Sequence, residues 1–109
     1  MGPMAVKTHQ VLYFLALCEE QSFTRAARRC GIAQPSLTRA IQALESEFGG
    51  RLFERKRSVV CLTSLGHFLR PDFESIGRAT KALTRKVAAI KDHGAPQPLI
   101  SDQWRDTCV

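Results

Sequence analysis

The sequence predicts a mainly α fold: three short helices, a two-stranded β-hairpin and one long closing helix. Three observations carry this. The stretch from Ser22 to Leu44, SFTRAARRCGIAQPSLTRAIQAL, divides around a glycine into two short amphipathic segments. From Arg51 to Leu62 two apolar runs flank the cationic tip Lys56-Arg57-Ser58. From Thr63 onward apolar residues recur at helical spacing for nearly thirty positions.

The first helix is expected over about Thr8 to Glu20, with Thr8 as its N-cap. Val11, Phe14, Leu15 and Cys18 follow the i, i+3, i+4, i+7 rule and form its buried stripe. Leu12 and Leu17 lie off that stripe, exposed or facing a partner helix. Ser22 is placed to cap the second helix, Phe23 to Cys30, and Phe23 to plug the core. Gly31 stands where the chain leaves that helix, a position where positive φ is common and glycine is cheapest. The third helix is expected from Pro35 to Glu47, because proline is favoured at the first helical position.

Helices two and three meet through Ala27, Gly31 and Leu37. A small residue, a glycine four on and an aliphatic residue six further on is the spacing of a DNA-binding helix-turn-helix. Ala26, Cys30, Ile32, Ala40, Ile41 and Leu44 supply apolar residues at the remaining core positions. With Leu37, Ile41 and Leu44 turned inward, Ser36, Thr38, Arg39 and Gln42 remain on the outer sides of the third helix. Arg39 can donate two hydrogen bonds to guanine O6 and N7. Ser36 and Thr38 can bond a base or a phosphate, Thr38 can touch a thymine methyl, and Gln42 can reach adenine or a phosphate. The first turn of such a helix also attracts phosphate through its backbone N–H groups.

Arg51 to Arg55 alternates like a strand, with Leu52 and Phe53 as core candidates, and Val59 to Leu62 forms the second strand. The hairpin between them is a wing. Arg55 and Arg57 are expected at the adjacent minor groove or backbone, and Lys56 at a phosphate.

Thr63 should cap the long helix, which would run to about Asp92 and measure about 40 Å at 1.5 Å per residue. Leu65, Leu69, Phe73, Ile76, Leu83, Val87 and Ile90 are its apolar positions. With Thr80 included, the spacing from Phe73 to Ile90 alternates 3 and 4, a coiled-coil seam. Packing on its own domain explains Leu65 to Phe73 but not Leu83 to Ile90. Leu69, Phe73, Ile76, Leu83, Val87 and Ile90 are therefore assigned to dimerisation. Pro71 should bend the helix, and Gly77 should weaken it. The chain thus divides into a winged helix-turn-helix over residues 1–62, a dimerising linker helix over 63–92, and a poorly ordered tail over 93–109. Leu99, Ile100 and Trp104 are candidate anchors in that tail.

The charge supports a polyanionic partner. The formal net charge is +6 at pH 7. Ser22 to Leu62 holds eight basic residues against three acids, +5 of that total. The four cysteines (Cys18, Cys30, Cys61 and Cys108) form no CxxC pair, and the three histidines complete no zinc spacing. Cys18 and Cys30 read as buried free thiols. No apolar run reaches the ~18 residues of a membrane span and no signal peptide is evident. A reduced cytoplasmic setting, with no metal and no cofactor, is the expectation. No nucleophile–base or paired-carboxylate arrangement suggests an enzyme.

LYFLALCEEQSFTRAARRCGIAQPSLTRAIQALESEFGGRLFER, followed by VCLTSLG, resembles the N-terminal DNA-binding domain of LysR-type transcriptional regulators. SFTRAA, QPSLTRAIQALE and GGRLFER are its most telling pieces, and the similarity covers about Val6 to Ile90. The resemblance implies a winged helix-turn-helix and a linker helix that dimerises antiparallel to its mate. It implies DNA contacts by Gln34, Pro35, Ser36, Thr38 and Arg39, by the wing at Arg55, and by Thr24 and Arg25 to the backbone. Family members normally continue into a sizeable α/β effector-binding domain, which this sequence does not contain. No small-molecule effector site is expected in it. Two functions follow as expectations. One is sequence-specific binding of double-stranded DNA as a homodimer, in bacterial transcription regulation. The other is a short interaction module that heterodimerises with a full-length regulator and modulates it.

Overall fold

A computed structural model of the chain describes residues 6–94. Its elements run α1 (Thr8–Glu20), α2 (Phe23–Cys30), α3 (Gln34–Phe48), β1 (Phe53–Lys56), β2 (Val59–Leu62) and α4 (Ser64–His93). The described residues fall into two compact units, one within Met1–Ala79 and one within Thr80–Val109. The first half of α4 therefore belongs with the helix-turn-helix and wing. Leu99, Ile100, Trp104 and Cys108 lie outside the described residues.

The core of the first unit is assembled on α1. Val11, Phe14 and Leu17 pack with Ala26 and Ala27 of α2 and with Leu37, Ile41 and Leu44 of α3. Leu52, Phe53, Val60 and Phe73 close it from the wing and α4. Phe14 sits at the centre, with ring centroids 5.2 Å from Phe53 and 4.3 Å from Phe73. Burying such aromatic and aliphatic side chains stabilises by roughly 1.5–3 kcal/mol each, which is why they define the fold.

Several local expectations change. The N-cap of α1 is Lys7, not Thr8, and the Gln10 side chain accepts from the Lys7 N–H at 2.9 Å. Leu17 is 0% exposed. It falls outside a single stripe because α1 packs against α2, α3 and β2, so its buried arc is wider than one helix face. Cys18 and Cys30 are free thiols but only half-buried. Burial still pushes the Cys18 thiol up to about 12, with Arg70 opposing and Glu74 and Glu19 adding to the rise.

The connection between α2 and α3 is three residues long, 31–33. Gly31 adopts φ 70°, and its N–H returns to the Ala27 and Arg28 carbonyls. A side chain at that φ would be strained, so the turn needs glycine. Helix α3 begins one residue before Pro35, with Ala33 as N-cap and no side-chain cap bond.

The wing is an antiparallel pair with Phe53 opposite Leu62 and Lys56 opposite Val59. Its first strand starts at Phe53 rather than Arg51, because the lead-in is bonded elsewhere. Thr63 Oγ1 donates to the Arg51 carbonyl at 2.6 Å, and the Thr63 N–H to the Leu52 carbonyl at 2.9 Å. Lys56 belongs to the strand, so the tip is the two-residue turn Arg57-Ser58. Both residues have positive φ, 53° and 70°, the requirement of a type I′ hairpin turn.

Thr63 does cap α4, accepting from the Gly66 N–H at 3.1 Å. The helix continues through Pro71. Two glycines let it approach its neighbours. A Cβ on Gly66 would collide with the Leu52 carbonyl oxygen, and one on Gly77 would lie 2.7 Å from Leu15 Cδ1. Gly77 is thus a close-approach site as well as a weak helix former.

Phe73 is only 3% exposed, and Leu69 packs beside the same core. Phe73 also meets Phe48 edge-on at 5.9 Å. The assignment of Phe73 to a dimer seam needs correction on this point: its ring fills the space between α1 and α3 of its own chain. Among the described residues, Ile76, Leu83, Val87 and Ile90 are the exposed members of the seam, with Leu83 at 63%.

Candidate nucleic-acid interface

The outer side of α3 and the wing border one solvent-open groove of about 590 Å³. From α3 it is lined by Thr38, Gln42 and Glu45, and from the wing by Arg51, Glu54 and Arg55. Thr38, Gln42 and Glu45 are spaced i, i+4, i+7, which puts them on one helix face. The groove floor is apolar, formed by Phe23, Ile41, Phe53 and Val60. Leu37, Ile41 and Leu44 are buried beneath, so the inward stripe leaves this polar face outward.

The N-terminal end of α3 is also open. Gln34, Pro35, Thr38 and Arg39 line a shallow depression of about 360 Å³. Gln34, Pro35, Arg39 and Gln42 are exposed, and Ser36 and Thr38 are half-buried. Without a side-chain cap, the first turn presents the positive end of its dipole to solvent. Thr24 Oγ1 donates to Gln34 Oε1 at 3.1 Å, tying the start of α2 to the start of α3.

Arg25 is partly committed to the end of α1. Its guanidinium donates to the Glu20 carbonyl at 2.9 Å and lies 3.7 Å from the Glu20 carboxylate. Arg29 pairs with Glu19 at 2.6 Å and with Glu20 at 3.4 Å. The carboxylates of Glu19 and Glu20 therefore offset part of the positive charge on α2.

The wing cations differ in their support. The Arg55 guanidinium lies over the Phe23 ring, 5.4 Å from its centroid, a cation–π contact that fixes it on the α2 side of the groove. Lys56 is 3.5 Å from Glu54 and well exposed. Arg57 is exposed at the tip. The wing as a whole is held from two directions. The Val60 N–H donates to the Gln21 carbonyl at 3.1 Å, and the Leu52 N–H donates to Glu45 Oε2 at 2.8 Å.

The sequence reading missed two residues here. Arg51 contributes to the charge and to the strand pattern in the sequence, but its exposed side chain also lines the groove. Its position just ahead of an apolar pair was the available signal. Glu45 gave no signal at all, since an acid near the end of a surface helix looks solvated until its partners are visible. Among the described residues no group of three His, Cys, Asp or Glu is placed to hold a metal ion, and no helix is long and apolar enough to cross a membrane.

Comparisons with known proteins agree on one kind of relative. A family model described as bacterial regulatory helix-turn-helix protein, lysR family, matches residues 8–67. The HTH-type transcriptional regulator BenM of Acinetobacter baylyi is 55% identical over 56 residues, 51% of this chain and 18% of BenM. TfdT of Cupriavidus pinatubonensis, also an HTH-type transcriptional regulator, is 38% identical over 96 residues, 87% of this chain and 42% of TfdT. The chain spans less than half the length of either relative. Among solved structures, the BenM DNA-binding domain in complex with benA site 1 DNA aligns with a TM-score of 0.67 at 38% identity. That alignment covers 77% of this chain and 98% of the BenM domain. Oxidised OxyR of Corynebacterium glutamicum aligns with a TM-score of 0.74 at 30% identity, covering 79% of this chain and 28% of OxyR.

Proposed function

This chain belongs to the lysR family of bacterial regulatory helix-turn-helix proteins, as a DNA-binding domain, and we propose that it reads double-stranded DNA by sequence, with α3 in the major groove. The wing then lies on the adjacent minor groove or backbone. The observation that carries this is the open groove that the polar face of α3 shares with the cationic wing.

Arg39 is the principal base reader, bidentate to guanine, with Ser36, Thr38 and Gln42 beside it on bases or phosphates. Gln34 and Pro35 meet the DNA at the uncapped end of α3. Thr24 and the guanidinium N–H groups of Arg25 that remain free meet the backbone. Arg55 and Arg57 approach the minor groove, and Lys56 a phosphate. The exposed seam of Ile76, Leu83, Val87 and Ile90 pairs two copies, which would set the half-site spacing. The chain would thus serve a transcription regulator as its DNA-binding part.

The test is a binding titration on duplex DNA across salt concentrations. Arg39→Ala should cost ~1–3 kcal/mol on the preferred site and relax base preference at one position. Lys56→Ala should weaken all duplexes alike and lower the log–log salt slope by about 1. Wild-type protein that shows no salt-dependent retention of duplex DNA would end the reading.

A further inference from the structure

One acid stands on the face of α3 that a polyanion would approach. Glu45 shares that face with Thr38 and Gln42 and lines the same groove as Arg51 and Arg55. Simple electrostatics makes a carboxylate there unfavourable for binding DNA. Its contacts explain its presence. Glu45 Oε2 accepts from the Leu52 N–H at 2.8 Å and from the Phe53 N–H at 3.5 Å, the two amides where the chain turns into β1. A charged acceptor on two backbone donors is roughly twice as strong as a neutral bond. It joins the helix that reads bases to the strand that carries Arg55 and Lys56.

From this geometry we infer that Glu45 is a positioning residue for DNA recognition: it locks the wing to α3, so that the wing cations and the α3 side chains engage one duplex in register. Glu45 itself touches no DNA. The opposite edge of the wing hangs on the Gln21 carbonyl, a backbone acceptor that no side-chain change removes. Leu52, Phe53 and Val60 seat the base of the wing in the core, and the Glu45 bond is the side-chain tie between α3 and the start of β1. Without it the buried base stays seated and the outer part of the wing shifts against α3. Arg55 then leaves the Phe23 ring, and the wing cations lose their fixed distance from Arg39.

This inference rests on the DNA-binding reading above and has its own test. Duplex binding is measured for wild type, Glu45→Ala, Glu45→Gln, Arg55→Ala and the double variant Glu45→Ala/Arg55→Ala, over a range of salt. Thermal melts of each protein report its folding. Glu45→Ala should weaken specific binding about tenfold or more and lower the salt slope by up to about 3, as if the three wing cations had left the DNA. The double variant should be little weaker than Glu45→Ala alone, because Arg55 has already lost its place. Glu45→Gln keeps an acceptor and should recover most of the affinity. Should the alanine variant prove unfolded, the glutamine variant decides: near-wild-type binding with the full salt slope supports the lock. Two results overturn it. One is tighter binding by folded Glu45→Ala, the outcome of removing a negative charge. The other is a strictly additive loss in the double variant. If wild type fails to bind duplex DNA, the functional reading itself has failed, an outcome separate from these.

Discussion

The wing turn holds two residues in a conformation that neither favours. Arg57 has φ 53° and Ser58 has φ 70°. A residue with a Cβ carries a cost of roughly 1–2 kcal/mol in the left-handed region. Ser58→Gly removes that cost at the second turn position. Glycine's greater freedom in the unfolded chain offsets about 0.5–1 kcal/mol of the gain. The net stabilisation is about 0.5–1 kcal/mol, which raises the melting temperature by about 3–6 °C for a domain of this size. Urea denaturation followed by circular dichroism should show a higher midpoint with an unchanged slope. Arg57→Gly should stabilise by a similar amount but remove a cation from the tip. Its DNA affinity should fall and its salt slope drop by about 1. The two substitutions then separate backbone strain from charge. If Ser58→Gly lowers stability, the turn is not held in the left-handed region. If Arg57→Gly leaves binding intact, the strain serves no DNA contact, contrary to the idea that strained residues here are retained for function.

Other consequences are equally direct. Gly66→Ala places a Cβ against the Leu52 carbonyl and 2.7 Å from Leu62 Cδ2. That carbonyl is held by Thr63, so the variant should lose about 1–3 kcal/mol in chemical denaturation. Phe73→Ala should cost about 3–5 kcal/mol, since the ring fills the core. Leu83→Ala should change the stability of the isolated fold far less, and Leu83→Glu should shift sedimentation from dimer to monomer. The Cys18 thiol is pushed up to about 12 by burial, above the usual 9.0. Between those values the folded protein keeps a proton that the unfolded chain has released. Stability from this group is therefore complete below about 9 and declines as pH rises toward 12, visible as a steeper fall of melting temperature with pH in the Cys18 protein than in Cys18→Ala.

Much of the architecture was legible because it depends on local chemistry. Gly31 and Pro35 punctuate the chain where helices end and begin, and Thr63 caps α4 as its position suggests. What was not legible depends on tertiary partners. Leu17 is core because several elements pack around α1, which a single stripe of period 3.6 cannot express. Phe73 fits a heptad seam equally well as a sequence, and only the neighbouring Phe14 and Phe48 rings show where it goes. The start of β1 slips from Arg51 to Phe53 because Thr63 and Glu45 take the hydrogen-bonding groups of the lead-in. At the interface, the spacing inside α3 exposes Arg39 and Gln42 and leaves Ser36 and Thr38 half-buried. The Arg55–Phe23 stacking and the Glu45 anchor join residues more than thirty and about seven positions apart, with no periodic signature.

Selection of bound sites from random duplexes tests the central claim most directly, that the outward face of α3 enters a groove and reads bases. The wild-type chain should enrich a two-fold symmetric motif whose half-sites each contain a fixed guanine, and Arg39→Ala should lose the preference for that base while keeping the rest. Recovery of sequences no different from the starting pool, or a motif that Arg39→Ala leaves untouched, would contradict it.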